Sequence, residues 1–166
     1  EAHAGAVHAL VYHPNNQHLA TAGADGVVRI WQMPVAQGRD LTPHKSPIRA
    51  LAVAPNNSYL LTASDDKTAR LLKTADGSEH KTLAGHEGPV RAAAFSANSS
   101  QVVTASDDKK IRLYNVADGA LVRTLEGLDA VPAAVAISPN GAQIAAAVGN
   151  LIKIWNAGDG QHVRDI

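Results

Sequence analysis

Three sets of histidine, threonine and aspartate recur along the chain with one spacing. The sets are His3, Thr21 and Asp25; His44, Thr62 and Asp66; and His86, Thr104 and Asp108. Imidazole, hydroxyl and carboxylate are the groups of a hydrolytic triad, in which histidine takes a proton from the hydroxyl. One catalytic site needs one set, whereas here a histidine precedes an aspartate by 22 residues three times. The recurrence therefore favours a structural hydrogen-bond network, and the chain is predicted not to be an enzyme.

Two further patterns resemble reactive sites but do not converge on one point. Histidines stand every five residues near the start of the chain: His3, His8, His13 and His18. Residues five apart on a strand point to opposite faces, so no metal site is predicted. The paired carboxylates at 65–66 and 107–108 diverge as well, because adjacent side chains point apart. The sequence contains no nucleophile elbow and no phosphate-binding glycine loop, and no cofactor is expected.

The histidine sets belong to a repeat of 41 or 42 residues. Each unit contains four short strand-like stretches, which in the third unit are 90–95, 101–106, 110–115 and 121–125. Pro-Asn and Asp-Gly turns separate them, and no stretch keeps a helical apolar period for three turns. Four short strands per unit are typical of a propeller blade. The sequence predicts an all-β, single propeller unit over residues 1–166, with four-stranded antiparallel blades at about 2–42, 43–84, 85–126 and 127–166.

Composition narrows the classes of partner. The formal net charge of the 166 residues is zero, which argues against nucleic acid, because phosphate binding requires a basic surface. No basic amphipathic stretch or long apolar run indicates a membrane, and no signal peptide is recognised. The chain has no cysteine, which fits a reducing compartment. We therefore expect a soluble protein and favour the cytoplasm.

Together these features resemble the Trp-Asp (WD) repeat family of β-propellers along essentially the whole chain. In that family a buried tetrad joins a histidine before the first strand, a serine or threonine in the second, an aspartate in the next turn and a tryptophan in the third. The first unit matches fully, since Trp31 completes its set. Leu72 and Tyr114 stand at the tryptophan position of the next two units. The fourth unit keeps only Trp155, so we expect its blade to be the loosest.

The resemblance also implies a partner-binding surface. Partners of WD proteins often dock on the narrow face around the central opening, to which two positions of each blade project. The candidate rim residues at these positions are His8, Arg49, Asp65, Arg91 and Asp107. Two interpretations stay open: the arginines clamp an acidic segment of a protein or peptide partner, or they form ordinary surface salt bridges with the neighbouring aspartates. The identity of the partner does not follow from these residues.

Four blades amount to about half of a ring of the size usual in this family. An open half-ring exposes an apolar face at each end, and a two-fold axis relating two copies would close an eight-bladed ring. We therefore expect a non-catalytic protein-interaction scaffold that assembles as a homodimer. One alternative is that the chain is a segment of a longer propeller whose other blades close the ring. A propeller enzyme is the less favoured alternative, because nothing in the chain carries its chemistry.

Overall fold

The computed structural model describes residues 3–14, 17–32 and 38–166, and within these ranges every regular element is a β-strand. The strands of blade 1 are β1 to β4, at Val7–Tyr12, His18–Gly23, Val28–Gln32 and Gly38–Leu41. Those of blade 2 are β5 to β8, at Ile48–Val53, Tyr59–Ser64, Ala69–Lys73 and Glu79–Leu83. Those of blade 3 are β9 to β12, at Val90–Phe95, Gln101–Ser106, Ile111–Asn115 and Leu121–Leu125. Those of blade 4 are β13 to β16, at Pro132–Ile137, Gln143–Val148, Leu151–Asn156 and His162–Asp165. The described residues include no helix that could cross a membrane.

Each blade is an antiparallel meander whose strands pair in sequence order. The first strands of neighbouring blades, β1, β5, β9 and β13, lie next to one another and bring the four blades into one stack. The all-β architecture of four four-stranded antiparallel blades predicted from the sequence is therefore confirmed. In every blade the first strand carries a register shift close to its beginning, which separates the rim residue from the regular ladder.

Side chains alternate between the two faces of each blade and so build a separate core at each interface. On β6, Leu60 lies in the cluster shared with blade 1, whereas Leu61 and Ala63 lie in the cluster shared with blade 3. A third cluster joins blades 3 and 4 around Ile144. Burying one such leucine or isoleucine side chain contributes about 1.5–3 kcal/mol. The stack is thus held by apolar contacts between blades, while backbone hydrogen bonds act within each blade.

The turn between the second and third strands positions the recurring aspartates. The residue after each aspartate has a left-handed backbone, with φ of 74° at Gly26, 71° at Lys67 and 59° at Lys109. This conformation disfavours most L-residues. Gly26 also lies against the next blade, where an added Cβ would come within 2.8 Å of the His44 carbonyl oxygen. The first blade therefore requires glycine where the next two tolerate lysine.

Candidate functional site

The complete tetrad of blade 1 is a continuous hydrogen-bond chain. His3 Nδ1 lies 3.0 Å from an Asp25 carboxylate oxygen, and because a carboxylate only accepts, the Nδ1–H donates. His3 Nε2 is then free to accept from the Thr21 hydroxyl at 2.8 Å. The indole N–H of Trp31 donates to the same hydroxyl oxygen at 3.1 Å. Four side chains from three separate segments are joined, so the network fixes the entry to β1 against β2, β3 and the turn between them.

Blade 2 keeps the first three members of the chain. His44 Nδ1 donates to Asp66 at 2.7 Å, and His44 Nε2 lies 2.7 Å from the Thr62 hydroxyl. Leu72, at the tryptophan position, is buried in the apolar cluster between blades 1 and 2. The Thr62 hydroxyl also lies 3.3 Å from the Arg70 carbonyl oxygen. This carbonyl oxygen can only accept, so it does not replace the N–H that the Trp31 indole donates in blade 1.

Blade 3 contains the most deeply buried version. His86 donates to Asp108 at 2.9 Å, and its Nε2 accepts from the Thr104 hydroxyl at 2.8 Å. Tyr114, at the tryptophan position, donates its hydroxyl proton to the Ala84 carbonyl oxygen at 2.8 Å, which anchors the segment before β9. Burial raises the pKa of Tyr114 to about 12, so the hydroxyl stays protonated and remains a donor near neutral pH.

Two arginines extend these networks, and the sequence prediction missed them. Arg29 donates to Asp25 at 2.9 Å, and Arg112 donates to Asp108 at 2.8 Å. Both arginines follow their aspartate by four residues, as Arg70 follows Asp66, so the recurrence of this spacing was a usable signal. Arg70 takes a different partner, however, and donates to Glu79 at 2.7 Å. In blades 1 and 3 the aspartate of the network therefore binds a guanidinium group as well as the histidine, whereas in blade 2 it does not.

Burial and hydrogen bonding act in opposite directions on the charges of blades 2 and 3. Burial would raise the pKa of Asp108, but hydrogen bonds from His86 and Arg112 outweigh it and lower that pKa to about 2. Burial lowers the pKa of His44 and that of His86, although the hydrogen bond to the partner aspartate opposes the shift in each case. The stable state near neutral pH is thus a neutral imidazole beside an ionised carboxylate. The side chains of His44 and His86 are only 0% and 1% exposed, so each imidazole contacts its protein partners and not solvent.

Blade 4 replaces the polar network with an apolar one. Leu128 occupies the histidine position, Ala146 the threonine position, and both are buried with Trp155 in the cluster shared with blade 3. Because the histidine, hydroxyl and carboxylate have been lost together, none of them remains buried without its partner. Such a coordinated replacement costs little, whereas the loss of one partner leaves the other unsatisfied. In the fourth blade, apolar packing therefore takes the place of the hydrogen-bond network that links the strands of the other blades.

The rim residues form a line of ion pairs across two blades. Arg49 Nε donates to Asp65 at 2.9 Å, and Arg91 Nε donates to Asp107 at 2.8 Å, with a second bond from each guanidinium to the same carboxylate. Arg91 Nη1 also lies 3.4 Å from Asp65, which joins blade 3 to blade 2. His8 Nδ1 lies 3.0 Å from the Ile48 carbonyl oxygen and so contacts blade 2 from blade 1. The geometry matches the salt-bridge interpretation of the rim in the free protein.

The remaining candidate groups stay apart. Asp65 turns to Arg49 while Asp66 turns to His44, so neighbouring carboxylates serve different contacts. The rings of His13 and His18 contact each other edge to face, with their centroids 5.9 Å apart. His3 belongs to the buried network and His8 to the rim. Among the described residues no group of three or more metal-ligating side chains converges. The candidate side chains that the structure does bring together are those of the buried blade networks and those of the rim.

Comparison with known proteins agrees with this geometry. The family described as WD40 (WD domain, G-beta repeat) matches residues 1–32, 36–72, 77–115 and 119–156. No curated protein matches the chain. The matched repeats are offset from the blades by one strand, because residues 36–72 run from β4 of blade 1 through β7 of blade 2. The first match covers β1 to β3 of blade 1, and each of the other three joins the last strand of one blade to the first three strands of the next.

Proposed function

Since the chain belongs to the WD40 repeat family, whose domains generally mediate protein interactions, we propose that it is a non-catalytic interaction scaffold. In this proposal residues 1–166 act as one unit, and two copies close an eight-bladed ring. The rim residues then form part of the partner-binding surface. The observation that carries the proposal is the character of the two end faces, each of which corresponds to a face that is buried elsewhere in the stack.

The free face of blade 1 corresponds to the face with which blade 2 packs on blade 1. Its side chains include Leu10, 64% exposed, and Tyr12, 55% exposed. They pair across the sheet with Thr21 and Leu19. The equivalent residues of blade 2, Leu51 and Val53, pair in the same way with Thr62 and Leu60. In blade 2 these side chains belong to the apolar cluster under blade 1. Blade 1 therefore presents an unoccupied copy of an interface that the protein already uses.

The free face of blade 4 is the complementary surface. It carries Ala134 and Ala136 of β13, Ala145 and Ala147 of β14, Ile152, 46% exposed, and Ile166, 61% exposed. Ile152 stands where blade 1 has Val28, which is fully buried against blade 2. Apolar surfaces of this extent are seldom left in water by a stable monomer. These residues support the proposal that the end of blade 4 packs on the start of blade 1 of a second copy, as blade 1 packs on blade 2.

A peripheral arginine supports the same pairing. Arg123 of blade 3 donates to the Asp159 carbonyl oxygen at 2.9 Å and so holds a turn of blade 4. Arg164 occupies the corresponding place on the outer strand of blade 4, because it pairs with Ile154 as Arg123 pairs with Leu113. Arg164 is exposed and has no side-chain bond within the described residues. It is placed to bind the first blade of a second copy.

Two copies in head-to-tail contact form a closed ring because of the angle between successive blades. At about 45° per blade, four blades turn through about 180°, so two identical contacts complete the ring. Further blades of a longer chain would cover the same two faces, and this alternative is decided by the mass of the 166-residue chain. Light scattering should give twice the chain mass of 17.3 kDa. A monodisperse 17.3 kDa particle would refute the dimer.

Three substitutions sharpen this test. Leu10→Arg and Ile152→Arg each place a charge in the proposed contact and should convert the dimer to a monomer, because burying an unpaired charge is strongly unfavourable. Val122→Arg is the matched control, since Val122 is an exposed apolar residue on β12, away from both end faces. The dimer model fails if the control dissociates as readily as the other two variants.

The rim needs a separate experiment. Arg91 supports a binding role because one of its contacts is long: Nη1 lies 3.4 Å from Asp65. An acidic side chain of a partner could replace this contact with a shorter one. We expect a partner recovered by affinity purification to be lost with Arg91→Glu and retained with Lys81→Glu, a charge reversal on the outer strand β8. Equal recovery with both variants would exclude the rim as the binding surface.

A further inference from the structure

A cleft of about 560 Å³ lies between blades 1 and 2, at the end of the strands opposite the rim. Its floor is apolar and contains Ala20, Ile30, Leu41, Val53 and Leu60. Clefts of this volume are typical of sites that bind an organic ligand or a side chain of a partner. The rim residues stand at the other ends of β1 and β5, so the cleft is a separate surface.

The cleft exists because small side chains replace large ones at this interface. At the corresponding places between blades 2 and 3 stand Leu61, Phe95 and Tyr59, and the Tyr59 ring stacks on His80 at 4.6 Å. Between blades 1 and 2 these places hold Ala20, Val53 and His18. A well-packed interface seldom leaves such a void, since each lost contact costs stability. The opening is therefore a specific feature of this pair of blades.

The charge of the cleft has one sign. Arg39 and Lys73 line it together with two histidines, and no acidic residue is among the described lining residues. Two carboxylates adjoin the lining residues in sequence. Asp40 lies 3.1 Å from Arg29 Nε, outside the lining of the cleft. Asp76 is fully exposed, accepts bonds from Ser78 and attracts Lys73 and Arg39 only electrostatically. An apolar floor with basic walls suits a ligand that has an anionic group beside an apolar body.

A buried acceptor further defines the ligand. Asn57 also lines the cleft, and its Oδ1 is buried and has no hydrogen-bond partner within the described part of the chain. An unsatisfied buried acceptor is costly, and a backbone N–H from a ligand would satisfy it. A peptide offers an N–H donor, an acidic side chain and an apolar side chain at adjacent positions. We propose that this cleft binds a peptide segment in which an aspartate or glutamate adjoins a large apolar residue.

The cleft lies within one chain, so this proposal goes beyond the scaffold function and is independent of ring closure. The probe is a fluorescein-labelled peptide pool with a Glu-Phe or Glu-Leu core in Gly-Ser flanks, measured by fluorescence polarisation on the full chain. Two control pools replace the glutamate with lysine or the apolar residue with alanine. We expect binding of the first pool and binding at least about tenfold weaker for both controls.

Two variants locate the binding. Val53→Phe fills the cleft with the residue found at the next interface and should abolish binding without altering its charge. Lys73→Glu should weaken binding about tenfold or more, whereas Lys109→Glu, on a turn of blade 3, should not. Each variant is checked by its circular dichroism and unfolding midpoint. The proposal is overturned if the Glu-Phe and Glu-Leu pool does not bind, if the lysine pool binds equally, or if a folded Val53→Phe protein binds as the wild type does. Retention of binding by the Leu10→Arg variant separates this result from that of the ring.

Discussion

Replacing His86 with leucine tests whether the buried networks stabilise the blades. His86 makes one hydrogen bond to an ionised carboxylate, Asp108, and one to a neutral hydroxyl, Thr104. A bond to a charged group is worth about 1.5–3 kcal/mol and a neutral one about 1 kcal/mol. We therefore expect His86→Leu to lower the free energy of unfolding by about 2.5–4 kcal/mol. Asp108 keeps its bond from Arg112, so the carboxylate is not left without a partner.

Thr104→Ala alone should cost about 1–2 kcal/mol, because it leaves His86 Nε2 buried without its donor. The double variant reproduces the leucine and alanine of blade 4 and removes both partners together. Its cost should be smaller than the sum of the two single costs by about 1 kcal/mol or more.

Urea-induced unfolding followed by circular dichroism measures all three variants. His162→Leu is the control, since the ring of His162 is about half exposed and its bond to Asp165 is worth at most about 1 kcal/mol. The reasoning is refuted if His86→Leu costs no more than this control, or if the two single effects simply add.

Three other perturbations have defined outcomes. Burial lowers the pKa of both His44 and His86, so the unfolded chain takes up protons first as the pH falls below about 6.5, and the midpoint of thermal unfolding should fall between pH 7 and pH 5. It should fall further below about pH 4, because Asp108 has a folded pKa of about 2 and its stabilising ionisation is then lost; an unchanged midpoint from pH 7 to pH 5 would contradict this account. Gly26→Ala should lower the free energy of unfolding by about 2 kcal/mol or more, measured in urea, since its Cβ meets the next blade in a left-handed turn, whereas Lys109→Ala should not destabilise. Tyr114→Phe should cost about 1–2 kcal/mol in the same assay because a backbone carbonyl loses its donor, and a neutral result would show that water replaces that donor.

The blades could be predicted from the length and spacing of the repeated strands, and their histidine links from the resemblance to the WD-repeat family. An interval of 22 residues between His44 and Asp66 spans two strands and two turns, and its recurrence at His86 and Asp108 leaves few other folds. Strand bounds followed from turn residues in the same way, and the predicted stretches 90–95 and 121–125 are strands in the structure.

Side-chain contacts other than the histidine links were harder to predict, because they depend on which residues neighbouring strands place beside a given side chain. Arg70 and Arg112 occupy equivalent positions, yet one binds Glu79 and the other Asp108. Two groups of blade 2 account for the difference. Glu79 on the outer strand binds Arg70, and the hydroxyl of Thr68, just before β7, donates to Asp66 at 2.6 Å. The cleft was missed for a similar reason, since a void results from the combined size of residues on two blades.

Because the blades differ in their internal networks, they should differ in how much stability they lose at low pH. Blades 1 to 3 carry imidazoles and carboxylates in their interiors, whereas the corresponding core of blade 4 is made of Leu128, Ala146 and Trp155. Protonation of these groups weakens the polar networks, whereas Leu128, Ala146 and Trp155 have no group that titrates. On acidification, the protection of backbone amides against exchange should therefore fall first in blades 2 and 3 and last around Trp155. Blade 4, which departs most from the family pattern, would then keep its structure to a lower pH than blades 2 and 3.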